Sequence, residues 1–498
     1  MAILSVGFAC RSYFPVRTLQ SHCLWKIRFN TVAAAIETVD DSDGFFTKDS
    51  DSQDKVANGT RDLLNGLKNK GHDVYLVGGC VRDLILKRTP KDFDILTSAE
   101  LREVVRTFPR CEIVGRRFPI CHVYIGDDLV EVSSFSTSAQ NYPRNTRTES
   151  KESSGSDGDE DCIRLNNCLQ RDFTINGLMF DPYAKVVYDY LGGMEDIRKA
   201  KVRTVIHAGT SFQQDCVRIA ARLGFKMSKE TAHFIKNLSL LVQRLDKGRI
   251  LMEMNYMLAY GSAEASLRLL WKFGILEILL PIQAAYLARS GFRRRDKRTN
   301  MLLSLFANLD KLLAPDRPCH SSLWIAILAF HKALADQPRS PLVVAAFSLA
   351  VHNCGDILEA VKITKKITRP HEKSFFELVE PEENLDFQTL LDEVMDLDTS
   401  IKDALNQMTD GYYISKAMSA YPQAPYSDLV FIPLQLYLRA GRIFDCVKKE
   451  ETQMGFEAKQ GSKIEYGSLY SGDFPEIRHV FARVVFDTVF PLNLSQEL

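Results

Sequence analysis

Residues 75–95 read YLVGGCVRDLILKRTPKDFDI, and the order of residue types along this stretch decides the fold class. VYLV at Val74–Val77 is an apolar strand run. It ends on Gly78-Gly79, and a helical pattern starts near Val81. Glycines between a strand and a helix let the backbone come close to a phosphate, and the helix start adds unpaired N–H groups. No G-x-x-x-x-G-K-[ST] occurs here, which excludes a Walker loop. About a dozen residues later Asp92 and Asp94 flank Phe93, and FDIL at 93–96 reads as a second strand. Residues two apart in a strand share a face. Two carboxylates so placed repel unless a cation lies between them, and hard oxygen ligands select Mg²⁺ or Mn²⁺.

Working outward, ICHVYI at 120–125 and LVEVSSF at 129–135 flank turn residues and read as a hairpin. Upstream, Leu63, Leu64 and Leu67 give a short amphipathic helix that Thr60 is expected to cap. Residues 61–206 therefore read as a small mixed α/β head. A low-complexity stretch at 138–161, containing ESKESSGSDGDED, reads as a mobile insertion within it. From about Ser211 the apolar spacing becomes three and four, as in LVQRLDKGRILMEMNYMLAYG and AEASLRLLWKFGILEILLP. The expected class is α+β: the head, then an all-helical neck at 207–290 and an all-helical body and tail at 291–498.

Composition narrows the classes further. The 498 residues carry 63 Lys+Arg against 63 Asp+Glu and are 45% hydrophobic, which excludes wholesale disorder and an overall basic character. No apolar run reaches the roughly 18 residues of a membrane span, so no membrane partner is expected. The runs near 275–288 and 342–351 read as core helices instead. Eleven cysteines, an odd number with no C-x-x-C, argue for reduced thiols rather than a disulfide framework or a zinc ribbon. Residues 1–36 hold Arg11, Arg17, Lys26 and Arg28 and no acid, the pattern of a mitochondrial or chloroplast transit peptide. Residues 37–60 then read as an acidic linker.

GG-x-VRD followed by D-x-D resembles the head of the polymerase β-like nucleotidyltransferases, and more narrowly the family uniting bacterial-type poly(A) polymerases and class II tRNA CCA-adding enzymes. RDFTIN at 171–176 and DYLGGMEDI at 189–197 resemble further family motifs, in the expected order. The strong similarity covers about residues 63–281 and weakens toward 333. It implies transfer of a nucleoside monophosphate from a triphosphate to an RNA 3′-hydroxyl, with release of pyrophosphate. Asp92 and Asp94 would then hold Mg²⁺ or Mn²⁺, with Glu131 the candidate third carboxylate. Gly78 and Gly79 would cradle the triphosphate beside Arg82. Arg171 and Asp172 would lie near the incoming ribose.

GRRFPICHV at 115–123 resembles the signature of the poly(A) polymerases, which favours ATP as the substrate. Its Arg116 and Arg117 could grip phosphates or form a solvated turn. His122 is expected to pack and hydrogen-bond on its strand rather than act as a base. One departure concerns base reading, which the family assigns to an E-D-x-x-R helix. Here QQDCVRIAARLGF at 213–225 keeps Asp215 and Arg218 three apart but lacks about six residues, some 1.7 helical turns. Either the helix is re-registered or Arg218 is a later arginine and the base-reading one is gone. RNA is expected along the helical body, where Arg293, Arg294, Arg295, Lys297 and Arg298 form one basic run and Lys362, Lys365, Lys366 and Arg369 another. The expected activity is adenylyl transfer to RNA 3′ ends in an organelle. CCA addition to tRNA and a catalytically weak RNA-binding protein are the alternatives.

Overall fold

Val74–Val77 forms a strand whose four residues are all buried, as its apolar run requires. It lies in the middle of an eight-stranded sheet in a computed structural model of the chain. The structure describes residues 26–27, 51–88, 90, 92–115, 119–125, 128–136, 157–214, 226–380, 386–419, 429–447, 459 and 461–492. Two compact units divide the chain at Met1–Lys199 and Ala200–Leu498.

In the first unit the elements are β1 (Lys26–Ile27), α1 (Asp51–Lys68), β2 (Val74–Val77), α2 (Gly79–Ile85), β3 (Asp94–Thr97), α3 (Leu101–Thr107), β4 (Cys111–Val114), β5 (Ile120–Ile125), β6 (Asp128–Ser134), α4 (Asp157–Leu169), β7 (Leu178–Asp181), β8 (Val186–Asp189) and α5 (Gly193–Arg198). The strand order is β1-β8-β7-β2-β3-β6-β5-β4. Within this sheet only β3 and β6 pair in parallel. The hairpin read from the sequence is present as β5 and β6, with Val123 opposite Val130.

Three boundaries differ from the sequence reading. Helix α1 starts at Asp51, inside the segment read as linker, so Thr60 lies within the helix and not at its cap. Its hydroxyl is buried and finds no partner among the described residues. Helix α4 begins at Asp157, inside the stretch read as a mobile insertion. Strand β1 pairs Lys26 with Tyr188 and Ile27 with Val187, within the segment read as a leader.

Arg164 of α4 explains why that helix is ordered. The residue is 6% exposed. Its guanidinium donates to Asp161 at 2.8 Å and to the hydroxyls of Tyr75 at 3.0 Å and Tyr190 at 3.2 Å. It also lies 4.9 Å from the Tyr188 ring centroid. A buried charge is tolerable only when surrounded in this way.

The second unit opens with a two-stranded parallel ladder, β9 (Lys201–Val202) with β10 (Lys226–Met227), and is otherwise helical among the described residues. Its early helices are α6 (Ala208–Gln214), α7 (Lys229–Leu238), α8 (Lys247–Leu258) and α9 (Ala263–Phe273). Further on, the core is aromatic. Phe330 stacks on Phe347, and Phe330 and Phe444 each meet Phe481 edge-on at 5.4 and 5.2 Å. The apolar runs read as core helices are indeed short helices, Leu276–Leu279, Pro281–Arg289 and Pro341–His352. No described helix is long and apolar enough to cross a membrane. Eight described cysteines are free thiols, six of them buried.

Replacing Arg164 with Met keeps the bulk but takes the donor from the buried Tyr75 hydroxyl and the cation from Asp161, which keeps its bond from the half-buried Tyr190 hydroxyl. The expected cost is about 3 kcal/mol, read as a lower urea midpoint for the first unit.

Candidate active site

The first unit's central strands deliver the carboxylates to one place. Asp94 is the first residue of β3 and pairs with Val77 on one side and Glu131 on the other. Partners in register on neighbouring strands share a face, so Glu131 lies beside Asp94. Asp92 sits in a bend two residues before the strand and is exposed, so the two aspartates are not successive same-face positions of one strand as the sequence suggested. The strand starts one residue later than read, at Asp94 and not at Phe93.

Burial is the largest cause pushing the Asp94 carboxyl up to about 6, and the charges of Glu131 and Asp92 add to it. Arg171 opposes the rise. Asp94 is therefore held in a largely buried, negatively charged corner with one arginine for relief. Glu131 is half exposed and turns toward His122, with 3.7 Å between Oε1 and Nε2. At that distance the two side chains lie next to each other without a hydrogen bond. Among the described residues no three acidic, histidine or cysteine side chains converge as a preformed metal centre. Asp92 and Asp94 still fit a Mg²⁺-like ion, which takes one or two carboxylates and completes its shell with substrate oxygens and water.

Gly78 closes this corner from the other side. Its φ is 78°, a left-handed conformation that favours glycine. A Cβ built there would lie 3.0 Å from Asp94 Oδ2 and 3.2 Å from Arg171 Nη1. The missing side chain is thus what leaves room between the acid and the arginine. Helix α2 after it has only seven residues, so its dipole adds less than a long helix would. Arg82 lies over Gly79, with Nη2 3.6 Å from that glycine's Cβ position. Its guanidinium is gripped by Asp83 and by Asn176.

RDFTIN and DYLGGMEDI pack on each other. Thr174 donates its hydroxyl proton to the buried Asp196 carboxylate at 2.6 Å. Asp189 accepts the N–H groups of Leu191, Gly193 and Met194. At Gly193 a Cβ would stand 2.2 Å from the Thr174 carbonyl oxygen, so no other residue allows this approach. The second motif is a brace for the short 174–176 turn, and Asp172 Oδ1 accepts from the Phe173 N–H and from Asn176.

Arg116, Arg117, Asp215 and Arg218 lie outside the described residues. In the second unit the basic run at 293–298 divides. Arg294 lies 3.9 Å from the Trp271 ring centroid and pairs with the buried Glu277, so its charge is already matched although the side chain is half exposed. Arg298 is likewise held by Asp296 at 2.6 Å. Arg294 and Arg295 both line a cavity of about 880 Å³, where Lys229, Lys236 and Lys272 join Arg295. None of these four has a carboxylate partner among the described residues. Lys229, Lys236 and Lys272 are scattered through the sequence, so no run of charge announced them. Arg293 has no side-chain partner among the described residues and is exposed. Of the second run, Arg369 donates to the Phe490 carbonyl and Lys362 faces Glu359.

Known proteins resemble the chain in the same places. Residues 74–203 match the poly A polymerase head domain, and residues 224–287 match a domain described as the probable RNA and SrmB-binding site of polymerase A. Poly(A) polymerase I of Salmonella typhi is 27% identical over 338 residues, 64% of this chain and 70% of that protein. Haemophilus influenzae poly(A) polymerase I is 31% identical over 45% of this chain and 51% of its own length. The CCA-adding enzyme of Geobacillus stearothermophilus is 34% identical over 219 residues, 43% of this chain and 52% of that protein. The crystal structure of Bacillus stearothermophilus CCA-adding enzyme with CTP aligns over 78% of this chain and 82% of that one, at 22% identity and a TM-score of 0.42.

A raised carboxyl pKa is a stability statement. Between about pH 4 and pH 6 the folded chain holds a proton on Asp94 that the unfolded chain releases, so stability falls as pH rises through that window. Asp94→Asn removes the cost. Without divalent cations it is expected to unfold at higher urea than the parent at pH 7.5, by on the order of 2 kcal/mol. The difference should vanish below about pH 4.

Proposed function

The chain belongs to the nucleotidyltransferase family that unites poly(A) polymerases with CCA-adding enzymes, and on that footing we propose that it adds AMP from ATP to RNA 3′ ends. The observation that carries the chemistry is the corner formed by Gly78, Asp94 and Arg171, with Asp92 and Arg82 beside it. A divalent cation held by Asp92 and Asp94 would neutralise the triphosphate and lower the pKa of the attacking 3′-hydroxyl. The chain's own residues orient the reactants. Gly78 and Gly79 admit the triphosphate to the backbone, and Arg82 and Arg171 offset its charge. As the hydroxyl oxygen gives up its proton to solvent and bonds to the α-phosphorus, the bond to the bridging oxygen breaks and pyrophosphate leaves.

Two features support adenylyl transfer over CCA addition. The poly(A) polymerase match runs over 338 residues against 219 for the CCA-adding enzyme. Residues 115–123 also carry the G-R-R-F run. The higher identity of the CCA-adding relative, 34%, favours the second reading, tRNA CCA addition. The acid-free residues 1–36 support an organellar location, mitochondrion or chloroplast.

Purified chain, Mg²⁺ and generic RNA or end-trimmed tRNA should be assayed with each NTP separately. ATP alone is expected to extend both RNAs, and Asp92→Ala or Asp94→Ala to lower incorporation by at least about a thousandfold. Efficient CTP use on trimmed tRNA would replace the proposal by the second reading. Tight RNA binding with no incorporation would leave only a binding protein. Changing Lys229, Lys236, Lys272 and Arg295 together to Glu should weaken RNA binding and flatten its salt dependence by up to about four counterions.

A further inference from the structure

Arg82 carries five N–H groups, and three are already committed. Nε donates to Asp83 Oδ1 at 2.9 Å, Nη2 to Asp83 Oδ2 at 3.1 Å, and Nη1 to Asn176 Oδ1 at 2.6 Å. The two that remain sit on Nη1 and Nη2, and these nitrogens are the atoms nearest the empty Cβ position of Gly79, at 4.0 and 3.6 Å. Asn176 does not stop at Arg82. Its Nδ2 donates to Asp172 Oδ1 at 3.0 Å, and the same oxygen accepts the Phe173 N–H at 2.7 Å. A primary amide presents an acceptor and a donor from one planar group, which a carboxylate or an alkyl chain in its place would not. The turn that holds Asn176 is itself pinned by Asp196 and Gly193.

We propose that Asp83 and Asn176 are positioning residues that lock Arg82 with its two unspent N–H groups held beside Gly79. Asn176 ties that cation to Asp172, so that the triphosphate side of the site and the Asp172 side are set as one rigid unit. The inference rests on the nucleotidyltransferase reading and deepens it. Neither residue needs to touch substrate. An arginine on an unbraced side chain would lose rotational freedom on each binding event, whereas here it is already fixed.

Binding of inorganic tripolyphosphate with Mg²⁺, measured by calorimetry, isolates the anion from the nucleoside. Asn176→Ala is expected to weaken it about tenfold and to raise KM for ATP by a similar factor, with kcat changed less. Asp83→Asn keeps the shape without the charge and should give a smaller loss of the same sign. In an Arg82→Ala background both substitutions should be nearly silent, because both act through that guanidinium. The melting temperature of each variant is measured alongside, and Asp83→Asn guards against a misfolded alanine variant. The proposal is overturned if Asn176→Ala binds tripolyphosphate as the parent does, or weakens it equally with Arg82 present and absent. A parent that binds tripolyphosphate but incorporates no nucleotide would sink the activity while leaving the relay intact. A parent with normal incorporation and no effect of Asn176→Ala would do the reverse.

Discussion

The ionisation of Asp94 in a largely buried corner is the interaction on which the rest of the first unit depends. Strand pairing puts Glu131 next to it, chain continuity puts Asp92 two residues away, and burial makes every one of those charges count. Burial and the neighbouring acids make its ionised form costlier than usual, which pushes its pKa up to about 6. What makes the ionised form serviceable is Arg171 on one side and the space left by Gly78 on the other. Stability is given up locally, as the proposed binding of a cation and an anionic substrate at this corner would require.

Around that corner the motifs brace one another across long stretches of chain. Arg82 and Asn176 are 94 positions apart, and Thr174 and Asp196 are 22 apart. Each of these contacts fixes a side chain whose rotamer would otherwise be free, and each is made at a place where a glycine lets two backbones or a backbone and a side chain come close. The result is a site on rigid elements, with short helices and turns tied to the sheet.

The second unit uses charge differently. A run of basic residues looks like one phosphate-binding strip, yet Arg294 is taken by Trp271 and Glu277 while Arg295 is not. The cavity that Arg295 lines is basic because three lysines from two helices join it. Local charge density in sequence therefore overstated some residues and missed others, since pairing depends on which acid folds back to meet them.

Periodicity alone was enough for the alternation of strand and helix, the β5–β6 hairpin and the buried strand before Gly78-Gly79, because these are local patterns of apolar residues and turn chemistry. The residue types at Gly78, Asp92, Asp94, Arg171 and Asp172 marked the site for the same reason: each acts through its own chemistry. Several things were not legible. That Asp92 lies outside the strand follows from where the sheet's hydrogen bonds begin. That Glu131 sits beside Asp94 required the parallel register of β3 and β6, which nothing in either segment encodes alone. Helix α4 looked like part of a polar loop until Arg164 met Tyr75, Tyr188 and Tyr190, whose positions are set by other strands. The sequence by itself determined which chemical groups the chain owns and their local geometry. Only the tertiary structure decided which of them meet, because pairing energies fall off within a few ångströms and partners far apart in sequence are chosen by the packing of the sheet.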